Sequence, residues 1–328
     1  MSLRVLFIGG NGIISSASSA RVIARGDELT LLNRGTSTTR PRIEGVRHLT
    51  GDAGDPASIA AAIGAETFDV VANFRSFTPD QVARDLELFE GRCRQYVYIS
   101  SASAYQKPIG HLPITESTPL RNPYWQYSRD KIASEDLLVA AYRERGFPAT
   151  IVRPSHTYDA TLVPLLGGWT AIDRMRRGKP VVVQGDGTSL WTLTHTRDFA
   201  VAFTGLLGNE RAVGEVFQIT SDEALTWDQI GAVLARAARA EFRPVHIASE
   251  AIARELPDEG PGLVGDKAHS VIFDNAKVKS LVPEYRAVIP FWRGAQEIVD
   301  WHDADASRRE VDAELDAAFD RLIDRYGA

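Results

Sequence analysis

The stretch FIGGNGIISSASSA, residues 7–20, determines how this sequence is interpreted. It places Gly9, Gly10 and Gly12 between the apolar run RVLFI and a segment of helical length. Glycines permit a tight turn and a close approach of the backbone, and the first amides of the following helix can bind a pyrophosphate. Ser15 stands where a third glycine is usual, and it is small enough for close packing of helix on strand. The stretch predicts a dinucleotide site, and the alternative is a purely structural strand–helix turn.

Short apolar runs alternate with segments of helical length through the first half of the chain. Runs that are apolar throughout are typical of strands covered on both faces, and their alternation with helices indicates a parallel sheet. We therefore predict an α/β fold: a Rossmann-type doubly wound parallel sheet with a smaller α/β C-terminal substrate lobe. The expected division is an NAD(P)-binding domain over residues 1–160 and a substrate-binding lobe over 161–328, packed on the first and not independent. The predicted strands are RVLFI, LTLL, VRHLT, DVVANF, YVYIS and ATIVR.

Composition and charge argue against several classes of partner. The 328 residues are 44% apolar and 24% charged, with a net charge of -6 and no long basic run, so we expect no nucleic acid partner. The first residues resemble no signal peptide and contain no run long enough to span a bilayer, so we expect a cytoplasmic protein without membrane contact. A single cysteine, Cys93, allows no intrachain disulfide. No His, Cys or carboxylate cluster has metal-ligand spacing, so we expect no metal.

A second motif, YWQYSRDKIASE, carries acid/base chemistry. Tyr127 and Lys131 are four residues apart on a predicted helix and therefore share a face. A neighbouring ammonium group favours phenolate, and a tyrosine with a lowered pKa can exchange a proton with a carbinol oxygen. Serines in YISSASAYQ follow a predicted strand, at the edge of the sheet where ligands bind in such folds. The pair alone is a weak signal, because residues four apart often meet on helix surfaces.

Taken in this order, the glycine turn, the serines and the Tyr-x-x-x-Lys pair resemble the extended short-chain dehydrogenase/reductases. The similarity is greatest to the NAD-dependent epimerase/dehydratase family, which modifies nucleotide sugars. It covers nearly the whole chain, through GGNGIIS, GDAGD, YISSASAY, YSRDK, VRPSHTYD and GDGTSLWTLTHTRD. The resemblance implies an enzyme in which Tyr127 is the acid/base, Lys131 tunes it and holds the nicotinamide ribose, and Ser101 orients the substrate oxygen. Hydride would leave a sugar carbon and in many relatives return to it, giving epimerisation, dehydration or ring isomerisation.

The resemblance also implies the residues that surround the ligands, and a homodimer that pairs the helix near Pro79 and the helix of Tyr127. The expected cofactor contacts are Gly9, Asn11, Gly12, Ile13, Ile14, Asn33, Arg34, Asp52, Ala53, Phe74, Arg75, Tyr127, Lys131, Pro154 and His156. The expected substrate contacts are position 102, which is Ala102, together with Ser103, His156, Trp191, Lys267 and His269.

Several positions depart from the pattern of the resembled family. Asn33 and Arg34 occupy the tip of the second strand, where an acidic residue would bind a ribose 2′-hydroxyl; an arginine there can accept the 2′-phosphate of NADP. Because a redox-neutral enzyme would retain NAD, the cofactor is predicted as NAD or NADP. Trp191 stands where relatives often carry a diphosphate-binding arginine. It could stack on a substrate ring, or pack in the core with Trp169.

Three functions remain open at this point. The first is the modification of a nucleotide sugar by transient hydride abstraction, with that small molecule as the partner. The second is an NADPH-dependent ketoreductase acting on a small metabolite, which Arg34 and Trp191 favour. The third is a non-catalytic NAD(P)-binding sensor or scaffold.

Overall fold

The computed structural model describes residues 2–36, 40 and 42–327. Seven parallel strands form a central sheet in the order β11-β6-β5-β4-β1-β2-β3. The strands of the chain are β1 (Arg4–Ile8), β2 (Glu28–Asn33), β3 (Arg47–Thr50), β4 (Phe68–Asn73), β5 (Cys93–Ile99), β6 (Ala149–Pro154), β7 (His156–Tyr158), β8 (Val181–Gln184), β9 (Leu190–Trp191), β10 (Leu193–His195), β11 (Val216–Ile219), β12 (Leu225–Thr226) and β13 (Pro244–Ile247).

Helices cover both faces of the central sheet. The helices are α1 (Ile13–Ala24), α2 (Pro56–Ile63), α3 (Pro79–Phe89), α4 (Gln126–Arg145), α5 (Trp169–Arg176), α6 (Thr196–Leu206), α7 (Trp227–Ala237), α8 (Ser249–Glu255), α9 (Gly260–Gly262), α10 (Ala276–Leu281), α11 (Phe291–Asp303) and α12 (Ala313–Tyr326). Short 3-10 turns occupy Ala102–Ala104, Glu210–Ala212 and Ala306–Arg308, and a π turn occupies Leu263–Lys267. Among the described residues, no helix combines the length and the apolar character that crossing a bilayer requires.

Strand β1 shows why the sheet is covered on both faces. Its side chains alternate: Val5 and Phe7 enter one core, and Leu6 and Ile8 enter the other. Helices α1, α6 and α10 contribute to the first core, and α2, α3 and α4 contribute to the second. All four side chains are fully buried, so an uninterrupted apolar run is what this position requires. The predicted α/β, Rossmann-type doubly wound sheet is confirmed.

The second half of the chain builds further cores beside the sheet. Strand β8 pairs in parallel with β13, β7 pairs in parallel with β10, and β9 pairs antiparallel with β12. One core contains Trp191 and Trp227, together with residues of α5, α7 and α11. Strand β11, although it lies beyond residue 160, completes one edge of the central sheet beside β6. The division of the chain at residue 160 stays a prediction.

Candidate active site

The glycine turn after β1 brings the backbone close to its neighbours. Gly9 has a φ of +86°, and a Cβ at this position would lie 2.5 Å from Cγ of Arg75. Glycine is therefore required here on two counts, conformation and space. Gly12 precedes α1, and no side chain caps the helix, so the first amides of α1 stay available to an anionic ligand.

Ser15 takes part in this turn instead of merely fitting into it. Its Oγ accepts a hydrogen bond from the Gly12 amide at 2.8 Å and donates to the Gly9 carbonyl at 2.7 Å. Ser19, one turn later, donates to the Gly10 carbonyl at 3.2 Å. These buried hydroxyls hold the shape of the turn where the usual pattern relies on a third glycine.

A cavity of about 510 Å³ opens above this turn, at the carboxyl ends of β1, β2, β3 and β4. It brings together eight of the expected cofactor contacts: Gly9, Asn11, Gly12, Asn33, Arg34, Asp52, Ala53 and Arg75. Carboxyl ends of parallel strands are where ligands bind in open α/β sheets. The cavity, called the cofactor cleft below, is thus located where the sequence predicts it.

The cofactor cleft also contains buried polar atoms that lack a partner among the described residues. They are Oδ1 of Asn11 and Nδ2 of Asn33. An unsatisfied buried polar atom costs free energy, which a ligand with matching donors and acceptors would recover. Together with the open helix terminus and the close approach at Gly9, these atoms fit a dinucleotide.

Two arginines and a histidine that sequence reasoning missed also line the cofactor cleft. They are Arg40, Arg42 and His48. Arg40 donates to Asp159 at 2.6 Å, whereas Arg34 and Arg42 are exposed. The signal was available in RGTSTTRPR, which follows β2 and contains three arginines; residues 37–39 and 41 of this segment lie outside the described residues.

The predicted catalytic side chains converge at the start of α4 and the end of β5. Tyr127 and Ser101 line a second cavity of about 270 Å³, called the substrate cavity below. The hydroxyls of Ser101 and Ser103 are 2.9 Å apart, and Ser128 donates to Ser103 at 2.8 Å. This chain of hydroxyls directs Ser101 toward the cavity that Tyr127 enters. Lys131 lies one helical turn after Tyr127, with its Nζ 5.7 Å from the centre of the Tyr127 ring.

Burial is the largest cause of the pKa shifts of Tyr127 and Lys131. It raises the pKa of Tyr127 above its ordinary value, and the hydrogen bond with Ser101 opposes the change. We expected Lys131 to lower the pKa of Tyr127; in this structure desolvation is the largest cause and raises the pKa, and Asp266 adds to the increase. Burial also lowers the pKa of Lys131 to about 7, with Glu135 opposing it. The Tyr127 phenol is therefore protonated at neutral pH.

The substrate cavity collects most of the remaining predicted residues. Ala102, Ser103, Pro154, His156, Trp191 and Lys267 line it. Position 102 offers no hydroxyl, so a polar side-chain contact from Ala102 is ruled out and its methyl group only contributes to packing. His269 does not line the cavity; its Nε2 lies 3.2 Å from the carbonyl of Val264.

Trp191 and His156 form one wall of the substrate cavity. The Trp191 indole donates to Nδ1 of His156 at 3.0 Å, and its ring lies 5.1 Å from that of Trp227. Trp169 belongs to the same core as Trp191, as the packing alternative predicted. Burial lowers the pKa of His156 to about 3, so the imidazole is neutral. Because Nδ1 accepts, the His156 proton is on Nε2.

Four expected cofactor contacts line neither cavity. They are Ile13, Ile14, Phe74 and the buried Lys131. Phe74 packs its ring at 5.1 Å from Phe7 and 5.5 Å from Phe203, inside the core on the α6 face of the sheet. Ile14 packs on the same core, and Ile13 opens α1 without lining either cavity. The bulky Phe74 is accommodated after β4 because its ring turns into the core, and Arg75 lines the cofactor cleft instead.

Sequence reasoning also missed Asp266 and Trp125, which line the substrate cavity. Oδ1 of Asp266 lies 3.0 Å from Nζ of Lys107, whose side chain is fully buried. Asp266 was adjacent in sequence to the predicted Lys267, but nothing local indicated that its partner would be Lys107. The ion pair fixes a carboxylate in the same cavity as Tyr127.

Residues 5–220 match the NAD dependent epimerase/dehydratase family. The chain belongs to this family of enzymes. The predicted membership is thereby confirmed, and with it the use of a nicotinamide dinucleotide.

Relatives within this family differ in what they do. A chloroplast stem-loop binding protein of 41 kDa from Arabidopsis thaliana is 29% identical over 246 residues, 71% of this chain, and the chain spans 63% of its length. A 2'-dehydrokanamycin reductase from Streptomyces kanamyceticus is 29% identical over 292 residues, 87% of this chain and 80% of that protein. Others are a UDP-glucose 4-epimerase and a dTDP-glucose 4,6-dehydratase.

The fold is that of solved epimerases. The UDP-glucose 4-epimerase of Bifidobacterium longum, solved with NAD+ and UDP, superposes with a TM-score of 0.74. It is 17% identical, with 93% of this chain and 99% of that chain covered. At this identity the likeness establishes the fold.

Replacing Gly9 tests the location of the cofactor. We expect Gly9→Ala to abolish dinucleotide binding, because its Cβ would collide with Arg75. Gly26→Ala is the matched control: its φ is +84°, but no atom lies within 4 Å of the added Cβ. Each variant pays a left-handed backbone cost of about 1–2 kcal/mol, so both should be destabilised. Titration of NAD and NADP should find binding lost in Gly9→Ala alone; binding at the parent's affinity would contradict the assignment.

Proposed function

We propose that the chain transfers hydride between a carbinol carbon of a sugar-like substrate and a nicotinamide dinucleotide. The observation that supports this most is that Tyr127 and Ser101 line the substrate cavity, while Lys131, one helical turn after Tyr127, contacts a ring of the cofactor cleft. Lys131 contacts the ring of Phe77, which lines the cofactor cleft, at 4.9 Å, while Tyr127 and Ser101 line the substrate cavity. Groups that serve both ligands must stand where the ligands meet.

Different residues of the chain would bind different parts of the dinucleotide. The turn from Gly9 to Gly12 would hold the pyrophosphate, Asp52 would face the adenine, and Lys131 would hold the nicotinamide ribose. The bound dinucleotide supplies the hydride donor or acceptor. The chain itself supplies positioning and proton transfer.

Proton transfer falls to Tyr127, with Ser101 beside it. Ser101 would donate a hydrogen bond to the substrate oxygen, and Tyr127 would give its proton to that oxygen or take one from it. Because burial keeps the Tyr127 phenol protonated at neutral pH, the group begins as an acid. A protonated phenol is the form that can donate to a carbonyl oxygen as the carbonyl is reduced.

Geometry favours net reduction of a compact ketone, the second of the functions predicted from sequence. The substrate cavity is about 270 Å³, just below the usual range of about 300–1,000 Å³ for ligand pockets. The buried Trp191 and the neutral His156 form its wall and provide no charge for a diphosphate. The Streptomyces relative, which matches most of this chain, is named as a reductase.

Redox-neutral modification of a nucleotide sugar is the second candidate. Relatives named as UDP-glucose 4-epimerase and dTDP-glucose 4,6-dehydratase support it. A scaffold function has the stem-loop binding relative in its favour, but the net charge of -6 and the intact Ser101, Tyr127 and Lys131 argue for catalysis. The homodimer and the cytoplasmic location stay predictions.

Cofactor retention separates the two catalytic candidates. A redox-neutral enzyme returns its hydride and retains its dinucleotide, whereas a reductase releases an oxidised one in each cycle. We expect mass spectrometry of the denatured purified protein to find no stoichiometric NAD, and candidate ketones to consume NADPH. Stoichiometric NAD, together with conversion of a UDP- or dTDP-sugar without net cofactor turnover, would establish the nucleotide-sugar reaction instead.

Cofactor choice depends on the cations at the end of β2. We propose that Arg34 binds the 2′-phosphate of NADP, because it is exposed at the cleft and no acidic residue stands at the tip of β2. Arg34→Ala should weaken NADP binding by about 1.5–3 kcal/mol, the value of a hydrogen bond to a charged group. NAD serves as the internal control, since it lacks the phosphate and its affinity should not change. Equal losses of affinity for both dinucleotides would contradict a contact between Arg34 and the 2′-phosphate.

Tyr127→Phe tests the chemistry directly. The substitution removes the transferable proton and keeps the ring, so the fold and the cofactor affinity should survive. Turnover should fall by about 10²–10⁴-fold, the usual contribution of a positioned acid or base. The assay is consumption of NADPH with any accepted ketone, or product mass with a nucleotide sugar. Turnover at the parent's rate would remove Tyr127 from the mechanism and leave His156 as the next group to test.

A further inference from the structure

A single buried oxygen atom organises the segment that follows β4. Oδ2 of Asp85, on α3, accepts hydrogen bonds from Nδ2 of Asn73 at 2.8 Å, from the Ser76 hydroxyl at 2.5 Å and from the Tyr96 hydroxyl at 2.5 Å. Asp85 is buried, and within the described residues no lysine or arginine pairs with it. A buried carboxylate without a cation is costly, and the three donors offset part of that cost.

Two of these donors belong to residues 73–77, called the β4 loop here. Asn73 uses its other side-chain atom, Oδ1, to accept from the amide of Arg75 at 2.8 Å. Asp85 therefore fixes the β4 loop at both Asn73 and Ser76. The third donor, Tyr96, lies on β5, outside the loop segment, and packs its ring against Phe89 and Phe147.

The β4 loop in turn holds Lys131. The Ser76 carbonyl accepts from Nζ of Lys131 at 2.8 Å, and the Ile99 carbonyl accepts from it at 2.7 Å. Phe77 presents its ring to the same ammonium group, while Arg75 and Phe77 line the cofactor cleft. One of the two carbonyls that locate Lys131 thus depends on the conformation that Asp85 imposes.

We infer that Asp85 is a positioning residue: acting through Ser76, it places the ammonium group of Lys131 and the β4 loop at the cofactor cleft. The consequence for cofactor affinity rests on the proposed role of Lys131 at the nicotinamide ribose. The positioning itself does not, because it is a property of the protein without its ligands. An experiment can therefore address the two separately.

The chain offers a matched pair of variants for this purpose. Ser76→Ala and Tyr96→Phe each remove one hydroxyl that donates to the same oxygen of Asp85 at the same distance. If Asp85 only stabilised the fold, the two variants would behave alike. If it positions Lys131, only Ser76→Ala should disturb that amine, because only Ser76 belongs to the β4 loop.

The readout is the rate at which an amine-selective acetylating reagent modifies Lys131, measured by mass spectrometry with the surface residue Lys277 as the internal reference. We expect Ser76→Ala to raise the rate about tenfold, equivalent to about 1.4 kcal/mol, and Tyr96→Phe to leave it at the parent's value. Asp85→Ala should act like Ser76→Ala, and Asp85→Asn, which keeps a carbonyl oxygen in place, should restore most of the protection. Should Asp85→Ala fail to fold, the comparison of Lys131 labelling between Ser76→Ala and Tyr96→Phe still tests the inference.

Equal labelling of Lys131 in the two matched variants would overturn the inference, whichever rate they share. Titration of NADP on the same proteins adds the functional readout, and the dissociation constant should rise about tenfold in Ser76→Ala alone. Raised labelling with an unchanged dissociation constant would uphold the positioning by Asp85 and contradict the proposed role of Lys131. The two failures are therefore distinguishable.

Discussion

The burial of one ammonium group constrains the centre of this protein. Lys131 has main-chain carbonyls, those of Ser76 and Ile99, as its hydrogen-bond acceptors, and it lies against the rings of Phe77 and Tyr98. Those carbonyls can meet at one point because β4 and β5 are adjacent parallel strands that end at the same edge of the sheet. The topology is therefore what makes a desolvated lysine possible, and desolvation is what lowers its pKa to about 7.

The periodicity of helix α4 places the side chains around this ammonium group on one face of the helix. Tyr127, Lys131 and Glu135 are spaced four residues apart and share one face. Glu135 accepts from the Ser100 hydroxyl at 2.5 Å and from Arg153 at 2.5 Å, so it ties the helix to the ends of β5 and β6. One helix therefore holds Tyr127, Lys131 and Glu135 in a fixed relation to the ends of β5 and β6. Asp85 on α3 provides the matching anchor for the end of β4.

Local patterns predicted the sheet and the helix of Tyr127, because each depends on a short run of residues: alternating burial in β1, glycines at the turn, and a four-residue spacing on α4. The rest depends on contacts between distant segments. Asp266 meets Lys107 across 159 positions, and the β4 loop depends on Asp85. Phe74 was expected at the cofactor, yet Phe203 of α6 provides a core site for its ring. No local pattern could supply those partners.

The charge of the substrate cavity follows from the same kind of long-range contact. With a pKa of about 3, His156 stays neutral at physiological pH, and its Nδ1 is already occupied by Trp191. The wall they form therefore carries no charge, and among the described lining residues the charged groups are Asp266 and Lys267. Lys107 pairs with Asp266, which leaves Lys267 as the one remaining charged group among the described lining residues, a single positive charge against the two negative charges of a dianion. A compact ketone, the substrate class of the proposed function, would need no more charge than this.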